Sequence, residues 1–196
     1  MMEIPLFPLN TVLFPGCTLD LQIFEPRYLD MVSRCMKQGQ GFGVVALLEG
    51  REAGPAATHF AGIGCEALIR DWSQRPNGLL GLRVEGGRRF AVQSSRVQAD
   101  QLLLGEVEFQ PEVAGKTPGP EEADLQALLE VLVAHPMVLE LQMNAGAESQ
   151  AALADKLGYL LPFSREQKLE LLVTAEPASR LASIQQWLDV LQDDAG

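Results

Sequence analysis

Five short apolar runs crowd the segment between residues 42 and 109, and nothing between them is long enough to serve as a crossover helix. They fall at 42–48, 62–72, 79–84, 89–97 and 102–109, each rich in Val, Ile, Leu or Phe and bounded by Gly, Pro or Asn. Parallel neighbours need crossovers of a dozen or more residues, so a doubly wound parallel sheet is excluded. An antiparallel sheet curled into a barrel or sandwich is the economical solution. Pro76-Asn77-Gly78 and Gly86-Gly87 read as tight hairpin turns, because Asn-Gly and Gly-Gly accept positive φ. Upstream, 4–7 and 19–24 are two further strand candidates, separated by the turn signal Phe14-Pro15-Gly16. Pro26 then stands where a helix start tolerates its missing N–H. Tyr28, Met31, Val32, Cys35 and Met36 recur at helical spacing through 27–37, and Gly39 and Gly41 end the run.

Residues 111–120 are rich in Pro and Gly and read as a linker between subdomains, 1–112 and 118–196. Beyond them the strand pattern disappears. Residues 121–134 carry Leu125, Leu128, Leu129, Leu132 and Val133 on one helical stripe. Ser149 precedes a helical run that Pro162 stops. Ser164-Arg165-Glu166-Gln167 is a capping box opening a helix over 165–173. Glu176-Pro177 opens a last helix through Leu181, Ile184, Leu188 and Leu191. Four or five such helices imply a small bundle, and the fold class is α+β.

Motifs that carry chemistry fail on context. Ala114-Gly115-Lys116-Thr117 looks like the end of a phosphate-binding loop, but Gln110 stands where the first Gly should be and Pro118 breaks the helix that should follow. It reads as part of a flexible linker. Gly41-Phe42-Gly43 and Gly62-Ile63-Gly64 are followed by more strand, not by the helix a dinucleotide site requires. No Ser occupies a nucleophile elbow. His59 reads as a loop residue and His135 as a cap at the end of a helix before Pro136, in different subdomains, so neither pairs with a nucleophile. No His/Cys/acid cluster has metal-ligand spacing. The expectation is no catalytic residue, no cofactor and no metal.

Cys17, Cys35 and Cys65 are widely spaced and odd in number, as reduced buried thiols are. No apolar stretch reaches the roughly 20 residues a membrane span needs, and the N-terminus lacks a basic signal-peptide region. A cytoplasmic location is expected. The net charge of −11 divides into −3 for residues 1–115 and −8 for the remainder. Nucleic-acid binding needs the opposite sign, so it is disfavoured.

Two blocks are more specific than any of this. Ile4-Pro5-Leu6-Phe7-Pro8-Leu9, then Val12-Leu13-Phe14-Pro15-Gly16, then Leu19 to Tyr28 ending in Phe24-Glu25-Pro26-Arg27-Tyr28, closely resemble the opening of the Lon protease N-terminal, substrate-binding domain. Phe42-Gly43-Val44-Val45, Gly62-Ile63-Gly64 and Gly87-Arg88-Arg89-Phe90 follow in that family's order. The helical half adds Leu153-Ala154-Asp155-Lys156-Leu157, Leu161-Pro162-Phe163 and Arg180-Leu181. Cys65 and Trp187 depart from the pattern.

The resemblance implies a PUA-like antiparallel β-barrel with one helix, followed by a C-terminal helical bundle. It also implies a non-catalytic module that recognises unfolded proteins or peptides, without the ATPase and peptidase that follow this domain in full Lon proteases. An adaptor acting on Lon or another protease, or a self-associating chain, is the alternative. Among the matched residues, Phe24 and Phe90 are expected in the core. Glu25, Arg27 and Arg89 are expected in a half-buried ion pair that fixes the helix to the sheet. Phe14, with Pro15, and Tyr28 are expected to be exposed anchors of a protein-binding surface.

Overall fold

A computed structural model describes residues 1–196. The chain divides into two compact units, Met1–Pro111 and Glu112–Gly196. The first unit holds six strands and one long helix, in the order β1 (Met2–Leu9), β2 (Thr18–Ile23), α1 (Pro26–Gln38), β3 (Phe42–Glu49), β4 (His59–Gln74), β5 (Leu80–Val97) and β6 (Leu103–Phe109). Strand order in the sheet is β2-β5-β4-β3-β1-β6, and β6 pairs with β5 as well as with β1. The fold is mixed α+β, as expected.

The sheet is not wholly antiparallel. β1 and β3 run parallel, with Leu6 opposite Gly43 and Leu9 opposite Ala46. The missing crossover is supplied by β2 and α1, which lie between these two strands in sequence. A parallel pair needs such a connection, and α1 provides it. Both strands are buried on both faces. Along β1, Phe7 and Leu9 join the cluster that packs with Tyr28, Met31 and Val32 of α1. Ile4 and Leu6 join Val45, Phe90, Leu103 and Val107 on the opposite face. Burial on two sides explains why β1 and β3 read as continuous apolar runs without polar alternation.

Gly86-Gly87 is not a turn. β5 runs unbroken through it, and the expected hairpin is replaced by one 18-residue strand. A Cβ at Gly86 would lie 1.9 Å from the Phe14 carbonyl oxygen. The Phe14-Pro15-Gly16 turn presses directly on this backbone, with Gly16 N–H donating to Gly86 O at 2.8 Å and Gly86 N–H donating to Cys17 O at 2.8 Å. Close backbone approach, not positive φ, is what demands glycine there. Pro76-Asn77-Gly78 does form its turn, with Gly78 at φ +80°.

α1 forms because its apolar residues share one face and Pro26 occupies its first turn. It ends where Gly39 adopts φ 63°, the left-handed cap that Gly accepts without steric cost.

The second unit contains a 3-10 turn at Pro120–Glu122 and five helices, α2 (Ala123–Val133), α3 (Pro136–Leu139), α4 (Gln150–Leu160), α5 (Arg165–Val173) and α6 (Pro177–Asp194). α4 packs against α2, α5 and α6. Ser149 caps α4 by accepting the Ala152 N–H, and Ser164 and Gln167 form the reciprocal capping box of α5. His135 follows the end of α2 as expected, its N–H donating to Leu132 O at 3.1 Å. It opens α3, its Nδ1 accepting the Met137 N–H.

The Gly-Lys-Thr segment is pinned and not a free linker. Lys116 O accepts the Gln150 N–H, and Ala114 O accepts the Ala151 N–H. These bonds satisfy amides at the start of α4 that have no partner within the helix. Asp155 of α4 and Arg180 of α6 form an ion pair in which both residues are buried.

Candidate functional site

The Phe24–Tyr28 block joins β2 to α1 and is mostly a fastener. Glu25 is the residue preceding the helix, and its carboxylate meets the Arg27 guanidinium at 3.0 Å. Arg27 is buried, and its Nη1 donates to the Gln101 carbonyl at 2.9 Å. Gln101 sits at φ 69° in the turn before β6, so Arg27 ties the start of α1 to the start of that strand. The guanidinium also lies 4.7 Å from the centre of the Tyr28 ring. Of the three residues expected in an ion pair, Glu25 and Arg27 therefore meet. Arg89 is buried too and belongs to β5, where it faces Cys65. Phe90 is fully buried, with its ring 6.1 Å from that of Phe109.

The expected exposures are reversed. Phe14 is fully buried and Tyr28 is 6% exposed, whereas Phe24 is 58% exposed. Phe14 points into the molecule from a turn that Gly16 and Cys17 fasten to the backbone of Gly86. Tyr28 points inward because it follows Arg27 on the sheet-facing side of α1, and its ring packs on Phe7 at 4.0 Å. Phe24 lies at the junction between strand and helix, outside both periodic patterns. Pro15 is half-buried against the same turn. Phe14 and Tyr28 cannot anchor a partner in this arrangement.

Burial pushes the Tyr28 phenol up to about 12 from an ordinary 10. The unfolded phenol ionises first, so the folded state holds the extra proton between those values. Tyr28 thus contributes stability below pH 10 that is lost as pH rises toward 12. Urea midpoints measured from pH 8 to 11.5 should fall in the wild type and fall less in Tyr28→Phe. Parallel curves would contradict this role.

Two clefts flank α1. At its start, Glu25, Arg27, Asp30, Pro55 and Asp100 border a cleft of about 440 Å³. The Arg27 Nε is buried without a partner, but its two terminal nitrogens are committed to Glu25 and Gln101. At the other end, Cys35, Met36, Gly41, Leu68, Ile69 and Trp72 line a groove of about 400 Å³. Met36 and Trp72 are 44% and 56% exposed there. Burial pushes the Cys35 thiol up, and its Sγ–H points to Gly41 O at 3.6 Å, so its chemistry is that of a wall and not a nucleophile.

Sequence reasoning missed this second groove. Trp72 reads as an ordinary strand residue, and Met36 as one more apolar position of α1. The usable signal was weak: a Trp followed by the polar run Ser73-Gln74-Arg75 at the end of a strand.

His59, at the start of β4, lies beside Thr58 Oγ1 at 3.0 Å and Glu49 at 3.8 Å. No group of three or more His, Cys, Asp or Glu is placed to hold a metal ion.

Residues 3–190 match the family model of the ATP-dependent protease La (LON) substrate-binding domain. The chain belongs to this Lon substrate-binding family. It is similar to the Lon protease of Paraburkholderia phytofirmans, at 29% identity over 89% of this chain and 22% of that protein. It is also similar to the protein cereblon of Gallus gallus, at 29% identity over 56% of this chain and 24% of that one. The chain therefore spans about a fifth to a quarter of these relatives.

Among solved structures, the Lon N-terminal domain protein from Xanthomonas campestris aligns with a TM-score of 0.76. It has 37% identity and covers 95% of this chain and 99% of that one. The N-terminal domain of a Mycobacterium avium complex Lon protease aligns at a TM-score of 0.63 and 21% identity, covering 95% of this chain and 97% of that one, which is a likeness of fold.

Proposed function

We propose that this chain is a non-catalytic module that binds unfolded proteins or peptides. The observation that carries the reading is the substrate-binding family match over residues 3–190. The groove beside Trp72 and Met36, lined by apolar and polar side chains alike, supplies a surface suited to the task, since exposed aromatic and methionine side chains are common anchors of protein recognition. In this reading the pairing of β6 with both β1 and β5 closes a PUA-like barrel, and the α2–α6 unit is a helical bundle. The module works in the cytoplasm and presents or holds clients for Lon or another protease.

The direct test is the fluorescence anisotropy of a labelled, permanently unfolded protein titrated with the pure chain. Saturable binding is the expected result. No change up to about 100 μM, where even weak recognition registers, overturns the reading for generic clients.

A further inference from the structure

β4 is longer than its neighbour. Its pairing with β3 ends at Phe42 opposite Ala67. From Leu68 to Gln74 it pairs with β5 alone. Gly41, where the chain turns away into β3, approaches so closely that a Cβ would meet the Ala67 carbonyl oxygen at 2.5 Å. Beyond that point the second edge of β4 borders the groove, with the last turn of α1 as the far wall.

The hairpin register shows which backbone groups face that groove. Arg75 N–H donates to Leu79 O at 2.8 Å, which makes Arg75 and Leu79 a hydrogen-bonded pair. Antiparallel ladders alternate, so Ser73 and Asp71 also face β5, while Trp72 and Gln74 turn their N–H and C=O groups outward. The Trp72 N–H is covered by its neighbour, donating to Asp71 Oδ1 at 2.8 Å. A carboxylate oxygen therefore stands where the carbonyl of an adjacent strand would lie. A charged side chain placed this way also blunts an open edge against indiscriminate pairing.

We infer that the groove receives an extended segment of unfolded polypeptide as an added strand on the free edge of β4, with Asp71 as the gate that the incoming carbonyl displaces. Charge complementarity identifies the occupant. The edge offers alternating partial charges of N–H and C=O, whose complement is another extended backbone. Leu68, Ile69, Met36 and Trp72 favour apolar side chains on the inserted segment. An unfolded chain offers free backbone groups along its whole length, whereas a folded protein offers them only at its own exposed strand edges, so the edge favours the unfolded state. The inference rests on the proposed client-binding function and adds its mode.

Three variants test it, with reduced and carboxymethylated α-lactalbumin as the probe. Asp71→Ala uncovers the N–H and should bind about fivefold tighter, the factor one net hydrogen bond supplies. Trp72→Pro removes an N–H that is not part of the β4–β5 ladder, and a strand edge tolerates Pro at such a position. It should bind about fivefold more weakly than Trp72→Ala, which keeps the N–H and removes the same indole. Circular dichroism and urea midpoints establish that each variant is folded. Amide exchange at Trp72 in the wild-type chain, with and without probe, needs no variant and should slow on binding.

Probe binding that is indifferent to Asp71→Ala and Trp72→Pro, with no slowing at Trp72, overturns the added-strand mode and leaves the client-binding function standing. Absence of binding by both the wild type and Asp71→Ala overturns both. Concentration-dependent dimerisation of Asp71→Ala that Trp72→Pro abolishes would make a second copy of this chain the occupant, and also overturns the inference.

Discussion

Replacing Asp155 by Ala is expected to lower the stability of the helical unit by about 3–5 kcal/mol, the cost of stranding one member of a buried ion pair. Arg180 is 1% exposed, and its Nη1 donates to Asp155 Oδ1. Its Nε and Nη2 are buried without hydrogen-bond partners, so the guanidinium relies heavily on that carboxylate. Removing the carboxylate leaves a buried positive charge with little to offset its desolvation. The pair itself is no great source of stability. Desolvation of both groups offsets much of their attraction, so Asp155→Leu combined with Arg180→Met should recover most of the loss.

Trp187 reports this unit, because its ring packs on Phe163 at 5.2 Å. Urea denaturation followed by its fluorescence, in a Trp72→Phe background, measures the effect. A midpoint unmoved by Asp155→Ala would mean that the guanidinium is already solvated.

Phe90→Ala is expected to cost the β unit a similar amount, about 3–5 kcal/mol. Phe90 is fully buried, and its ring tip lies close to two glycines. A Cβ at Gly43 would meet its Cζ at 2.7 Å, and a Cβ at Gly64 would meet it at 2.6 Å. Truncation opens a cavity that the surrounding strands cannot close, since Ile4, Leu6 and Val107 are held in the sheet around it. At Gly43 the obstructing atoms are side-chain ends of Leu6, Phe90 and Ile4, whereas at Gly64 the Val44 carbonyl oxygen stands 2.5 Å away. Gly43→Ala combined with Phe90→Leu should therefore be less damaging than the two single losses added together. Gly64→Ala combined with Phe90→Leu should show little such rescue, because backbone does not yield. Trp72 fluorescence in a Trp187→Phe background gives both cycles, and equal rescue at the two glycines would refute this packing.

Much of the architecture was readable residue by residue. The helix starts at Pro26, Ser149, Ser164 and Pro177 stand where the caps and prolines put them, because a cap acts within three or four residues of itself. The turn at Pro76-Asn77-Gly78 is local for the same reason. Gly86-Gly87 resembles a turn because glycine serves two purposes, and only the distant Phe14 carbonyl reveals which one applies. The parallel β1–β3 pair was equally hidden, since pairing partners are chosen across the chain and not along it.

The candidate site was the least legible part. Glu25 and Arg27 do pair and Phe90 is buried, yet Phe14 and Tyr28, which read as exposed, are buried, and Phe24, which reads as core, is exposed. Periodicity says that one face of an element is apolar. It does not say what an aromatic at a junction between elements will meet. The open edge of β4 depends on one strand outrunning its neighbour by seven residues, Leu68 to Gln74, a difference of lengths that exists only once both are paired.

By itself, then, the amino-acid order determined the mixed α+β class, the starts of α1, α4, α5 and α6, and the membership of the Lon substrate-binding family, because those follow from local conformational preference and from specific motifs. Tertiary structure alone decided which aromatics are buried, why Gly86 must be glycine, and where backbone groups remain open to a partner. Each of those is set by contacts between residues far apart in the chain.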